Sequence, residues 1–199
     1  MHPPHTPMHP LFVVASAREG GNTEQLARLA AESLPSGSTA TWLRLVEHPL
    51  EPFVDRRHDG VGFGPLDAAA QRLVEATLAA TDVVFVAPVY WYGLPASAKL
   101  YLDHWSHWMR MPELAFKERM RDKGLWLVTC NSDAPGGDDE STDALVLMLE
   151  RTARYMHMVF RGALVGHGNR PGDVLQDRAA VAAAHTFFAL RSRTPKSQP

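Results

Sequence analysis

The chain has 199 residues, 45% of them apolar, and 20 Lys+Arg against 22 Asp+Glu give a formal charge of −2. That is enough apolar material for one domain with its own core, and the near-neutral balance argues against an electrostatic nucleic-acid binder and a strongly acidic carrier. The single cysteine, Cys130, excludes an internal disulfide framework and any multi-cysteine zinc or iron–sulfur site, and points to a reducing compartment.

Residues 1–10 are rich in Pro and His and read as a disordered tail, in which His2, His5 and His9 need no ligand. Leu11 to Ala15 predicts a first strand, 11–15. It is too short, and lacks the charged start, for a secretory signal, although Ala15-Ser16-Ala17 mimics a cleavage site. Leu26, Leu29, Ala30 and Leu34 recur at helical spacing and predict a helix over 22–34, with Asn22 and Gln25 as a capping box. A weaker strand, 40–45, leads into a segment, 47–65, that is long for an α/β connection. There follow helix 65–80, strand 82–88, helix 95–109 with Pro95 in its first turn, and strand 124–130. Helix 139–157, capped by Asp138 or Asp139, carries Leu145, Met148, Leu149, Thr152 and Met156 at helical spacing. Strand 158–165 and helix 173–191, with Asp173 and Gln176 as a second capping box, complete a domain over 11–191, followed by a second tail, 192–199.

The strand runs lack strict alternation, as expected of strands buried on both faces of a parallel sheet. Their alternation with helices implies an open α/β sheet with right-handed crossovers and helices on both faces. No run approaches the roughly 18 apolar residues of a spanning helix, so the expectation is a soluble, cytoplasmic protein.

Ligands of open α/β sheets bind beyond the carboxyl ends of the strands, where strand order reverses. Three loops therefore matter. The first, Ser16-Ala17-Arg18-Glu19-Gly20-Gly21-Asn22-Thr23, runs straight into a helix, so its small residues, hydroxyls, guanidinium and helix-start N–H groups suit a phosphate. It is neither a Walker loop nor a dinucleotide fingerprint, and an ordinary tight turn with an Asn cap is the competing reading. The second, Pro88-Val89-Tyr90-Trp91-Tyr92-Gly93-Leu94-Pro95, sets three aromatics between a buried strand and a helix. They cannot all face one core, so a planar ligand or a partner surface is implied for at least one. The third, Asn131-Ser132-Asp133-Ala134-Pro135-Gly136-Gly137-Asp138, offers polar groups and N–H donors suited to the edge of a heterocycle.

Leu11 to Ala31 (LFVVASAREGGNTEQLARLAA) and Asp82 to Asp103 (DVVFVAPVYWYGLPASAKLYLD) together resemble the flavodoxin-like NAD(P)H-dependent FMN reductase and NAD(P)H:quinone oxidoreductase family. The resemblance implies a flavodoxin-like doubly wound five-stranded parallel sheet in the order 2-1-3-4-5. It implies FMN, with Ser16, Arg18, Asn22 and Thr23 around the phosphate and Pro88, Val89, Tyr90, Trp91, Tyr92 and Gly93 along the isoalloxazine ring. Asn131, Ser132, Gly136 and Gly137 match the family by position only. NADPH or NADH as electron donor, a small-molecule acceptor such as a quinone or free flavin, ping-pong turnover and a homodimer are implied as well. No side chain is required as a general acid or base. Many relatives carry cysteines after the second strand; segment 47–65 has none, which excludes an iron–sulfur version.

His104 and His107 stand one helical turn apart, without the further ligands a metal site needs. Trp105, Trp108 and Met109, with Leu100 and Tyr101, read as an apolar stripe at a subunit contact. Cys130 reads as a small buried residue, and Arg56-Arg57-His58 as a solvated charged turn, with the 2′-phosphate of NADPH as its other reading. A flavodoxin-type electron carrier or a non-enzymatic flavin sensor is the alternative function. A receiver domain is not, because Pro88 stands where the phosphorylated Asp would.

Overall fold

In the computed structural model, which describes residues 6–133 and 140–192, five strands form one parallel sheet. They are β1 (Pro10–Val14), β2 (Thr41–Arg44), β3 (Asp82–Val86), β4 (Gly124–Asn131) and β5 (Val159–His167), in the order β2-β1-β3-β4-β5. This is the 2-1-3-4-5 order expected. The continuous apolar runs of β1, β3 and β4 are buried along their whole length, because helices cover both faces.

The pleat sorts the core. Leu11, Val13, Val83, Phe85, Leu125 and Leu127 face α2 (Ala68–Ala79), α3 (Ala96–Trp108), α4 (Phe116–Met120) and α5 (Glu140–Tyr155). Phe12, Val14, Val84, Val86, Trp126 and Val128 face α1 (Asn22–Ala31) and α6 (Arg178–Ala184). Two buried polar pairs stand at the amino edge: Trp126 Nε1 donates to Asp82 Oδ1 at 3.0 Å, and the Tyr101 hydroxyl meets Thr77 Oγ1 at 2.6 Å. A bulge in β5 opposes Leu125 and Trp126 with Phe160 and Gly162, the latter at φ 142°.

Several expectations need correction. Asn22 does not cap α1: Gly21 is the N-cap, and Gln25 Nε2 donates instead to Gly20 O at 2.5 Å. The helix expected over 173–191 is three pieces, a 3-10 turn at Asp173–Gln176, α6, and a 3-10 turn at Phe187–Ser192. Asp173 turns its carboxylate back to the N–H groups of Asn169 and Arg170, and Asp177 is the residue that caps α6, accepting from Ala180 N at 3.1 Å. α4 was not foreseen. Tyr101, Trp105 and Trp108 form no surface stripe but lie inside the core, with Tyr101 edge-on to both tryptophans and both tryptophans edge-on to Phe116. The expected tails fall largely outside the described residues. Within the first, Met8 is fully buried, its N–H donates to Ser38 Oγ at 2.9 Å, and Pro10 already belongs to β1.

Segment 47–65 lies along α3. His104 Nε2 meets the Glu51 carbonyl at 2.9 Å, and His107 Nε2 meets the Gly64 carbonyl at 3.0 Å. Phe63 stacks on His107 with ring centroids 4.5 Å apart, and Phe53 packs edge-on to His104. The two histidines therefore fasten a loop, and no cluster of metal-ligating side chains occurs among the described residues. Arg56 pairs with Asp59 and Arg57 with Asp55, so the basic turn is answered by carboxylates of the same loop.

Candidate functional site

Parallel strands end together, and the loops leaving β1, β3, β4 and β5 meet in one cleft of ≈ 250 Å³. Ser16, Arg18, Gly21, Asn22 and Thr23 form one wall, and Pro88, Val89 and Tyr90 the opposite one. Cys130, Asn131, Ser132, Gly168 and Asn169 close the end over β4 and β5. Nine residues singled out in the sequence thus share one cavity. Gly136 and Gly137 lie outside the described residues, as do Asp138 and Asp139.

The first wall is built for an anion. Gly21 has no side chain with which to cap α1, so no side-chain acceptor takes the first N–H groups of the helix. Those donors, at the positive end of the helix dipole, bind anions well. Ser16 Oγ accepts from Arg18 N at 3.2 Å and donates to Arg18 O at 3.0 Å, which curls the loop, while the exposed Arg18 leaves its guanidinium at the rim. Thr23 is buried in the second position of α1.

Asn22 is committed elsewhere. Its Nδ2 donates to Gly168 O at 3.0 Å and Arg170 O at 2.9 Å, and its Oδ1 accepts from Gly172 N at 2.8 Å. The side chain ties α1 to the loop after β5 and so sets Gly168 and Asn169 into the cleft. Space there is tight: a Cβ on Gly168 would come within 2.9 Å of Asn22 Nδ2, and one on Gly166 within 2.6 Å of Val174 Cγ2. Asn131 plays a similar part, with Nδ2 donating to Ser141 Oγ at 2.9 Å and Oδ1 accepting from Asp133 N at 3.1 Å.

The opposite wall ends in a tight reversal. Tyr90 and Gly93 exchange both backbone hydrogen bonds, at 3.0 and 3.1 Å, around Trp91 and Tyr92. A two-residue turn of this kind needs φ > 0 at both central positions, which usually selects Asn and Gly. Here Trp91 and Tyr92 adopt φ 51° and 62°. Both rings lie out of the core: Trp91 is 95% exposed, and neither it nor Tyr92 lines the cleft as Tyr90 does.

Cys130 is a wall and not a nucleophile, since burial pushes its thiol up to about 12. Gly21, Cys130, Gly168 and Asn169 were missed in the sequence. The polar run after the fifth strand, Gly166-His167-Gly168-Asn169-Arg170, was the sign of the last two.

Residues 8–187 match the family described as having a flavodoxin-like fold. The chain is 35% identical, over 84% of its length and 89% of the relative's, to a Bacillus subtilis (strain 168) protein, YwqN, which carries the provisional name NAD(P)H-dependent FMN-containing oxidoreductase. Among solved structures it is similar to the Trp repressor binding protein from Bacillus subtilis, with TM-score 0.70 and 27% identity, covering 93% of this chain and 99% of that one. The NAD(P)H:quinone oxidoreductase from Methanothermobacter marburgensis shares the fold, with TM-score 0.67 and 14% identity over 97% of this chain and 100% of that one. With its strand order, the place of its cleft and these similarities in agreement, the chain belongs to the flavodoxin-like fold family.

Proposed function

We propose that the cleft binds FMN and that the protein is an NAD(P)H-dependent oxidoreductase passing electrons to a quinone, free flavin or similar small acceptor. One observation carries the reading: an uncapped helix start with hydroxyl and guanidinium donors faces an aromatic-edged wall across a single cleft. The first half suits a phosphate dianion and the second a flat ring. The name carried by the 35% identical relative supports the same cofactor and donor.

In this reading Ser16, Arg18 and Thr23 hold the phosphate together with the N–H groups of α1, while Asn22 holds the loop that floors the site. Pro88, Val89 and Tyr90 bound the ring, and the turn through Trp91, Tyr92 and Gly93 sets its outer rim. Asn131 and Ser132, where β4 ends, offer polar groups to the polar edge. Bound FMN would supply two-electron chemistry between a reduced nicotinamide and the acceptor. The chain's share is binding, orientation and electrostatics, and no side chain serves as acid or base. One shared open face implies ping-pong turnover. The exposed Tyr90-Trp91-Tyr92 rim suits a second copy of the chain, so light scattering on a sizing column should give twice the monomer mass. No helix among the described residues is long and apolar enough to cross a membrane, and we place the protein in the cytoplasm.

The second reading, an electron carrier or flavin sensor, shares the cleft but oxidises no nucleotide. Steady-state oxidation of NADPH or NADH with a quinone separates the two: catalytic turnover supports the reductase, and its absence in protein that binds FMN supports the carrier.

A further inference from the structure

Glu24 stands where a phosphate-binding helix should least tolerate it. It is the third residue of α1, in the first turn, and its side chain is only 9% exposed. An ionised carboxylate there opposes an incoming dianion and competes for the helix dipole. The structure answers this charge from two sides. Arg44, the last residue of β2, places Nη2 2.6 Å from Glu24 Oε2 with its own side chain 12% exposed, and Arg28 reaches Glu24 Oε1 at 3.2 Å. Burial alone would raise the Glu24 pKa, but the bonds from Arg44, the Gly20 N–H and Arg28 outweigh it and leave the carboxyl below its usual value.

The same two side chains grip the loop. Glu24 Oε2 accepts from Gly20 N at 3.1 Å, and Arg44 Nη1 donates to Ser16 O at 3.3 Å. From the far side, Ser97 Oγ donates to Ala15 O at 3.2 Å. In a trans peptide C=O and N–H point opposite ways, so holding the Ala15 and Ser16 carbonyls fixes the direction of the Ser16 and Ala17 N–H groups. Arg44 stands beside Val14 in the β1–β2 register, within reach of the loop that follows β1.

We propose that Arg44 and Glu24 are positioning residues for the phosphate-binding loop, with Arg44 cancelling the Glu24 charge beneath the site and fixing the Ser16 carbonyl. Neither touches the ligand. This rests on the reading that the cleft takes the phosphate of FMN.

The test compares FMN with riboflavin, which has the same ring and no phosphate, using quenching of flavin fluorescence on titration with protein. Arg44→Gln should weaken FMN about tenfold or more and leave riboflavin unchanged, because only the phosphate meets the uncancelled carboxylate. Its deficit should deepen as pH rises through the carboxylate range, and the double variant Glu24→Gln/Arg44→Gln should recover the part of the FMN affinity owed to charge, leaving the part owed to the hold on the Ser16 carbonyl. Unchanged FMN binding by Arg44→Gln overturns the proposal. So does equal loss of FMN and riboflavin, which marks a merely structural pair, and so does failure of the double variant to recover. If the wild-type chain binds neither flavin, the reading of the cleft fails first, an outcome distinct from all of these.

Discussion

Asn22 lines the cleft, and its side chain has a further role that its residue type did not reveal. The resemblance puts it at the phosphate, whereas its amide is spent on the Gly168 and Arg170 carbonyls and the Gly172 N–H. Replacing it with Ala strands those backbone groups, each costing about 1–3 kcal/mol if it finds no water. Asn22→Ala should therefore lower the urea midpoint as well as FMN affinity. Arg18→Ala, at an exposed rim position, should lower FMN affinity alone. Gly166 makes a second test at this scale. A methyl there meets Val174 and Leu26, so Gly166→Ala should cost about 1–3 kcal/mol in equilibrium unfolding. The part of Arg44 was invisible in the sequence, since it reaches Glu24 and the loop only after β2 has paired beside β1.

At the scale of elements, the turn at Tyr90–Gly93 stores strain in a form that can be measured. Trp91→Gly or Tyr92→Gly relieves a left-handed backbone, worth roughly 1 kcal/mol, and removes an exposed ring. Both variants should melt higher than the wild type while losing turnover or self-association. The attachment of segment 47–65 to α3 should depend on pH. Burial pushes His107 below its usual value of 6.5 against the supporting bond to the Gly64 carbonyl, and His104 pushes in the same direction. The unfolded chain then binds the proton more readily than the folded one, so this contribution is whole above 6.5 and fades as pH falls below it. Amide exchange across 51–64 should quicken, after intrinsic correction, between pH ~7.5 and ~5.5, and His107→Phe should flatten that dependence. The helical spacing of Leu26, Leu29 and Ala30 and the buried runs of β1, β3 and β4 were legible because each reports its own burial. The pieces of 173–191 were not, because Asp177, acting as a cap, restarts the helix against a pattern that reads as continuous.

For the whole molecule, the alternation of strand and helix sufficed for fold class and place of the cleft, since a doubly wound sheet leaves its loops together at one edge. What it could not convey was which way each loop residue turns. Ser16, Arg18, Thr23 and Tyr90 come to the cleft, while Trp91 and Tyr92 face out. A ligand that binds only the folded chain adds about 2.7 kcal/mol at 100 times its Kd, so saturating FMN should raise the melting temperature and riboflavin should raise it less. The most direct measurement is the visible absorption spectrum of the protein saturated with FMN and freed of excess, taken anaerobically before and after NADPH or NADH. The account predicts flavin bands that bleach with at least one nucleotide and return on addition of a quinone. Protein that retains no flavin, or bound flavin that neither nucleotide bleaches, would contradict it.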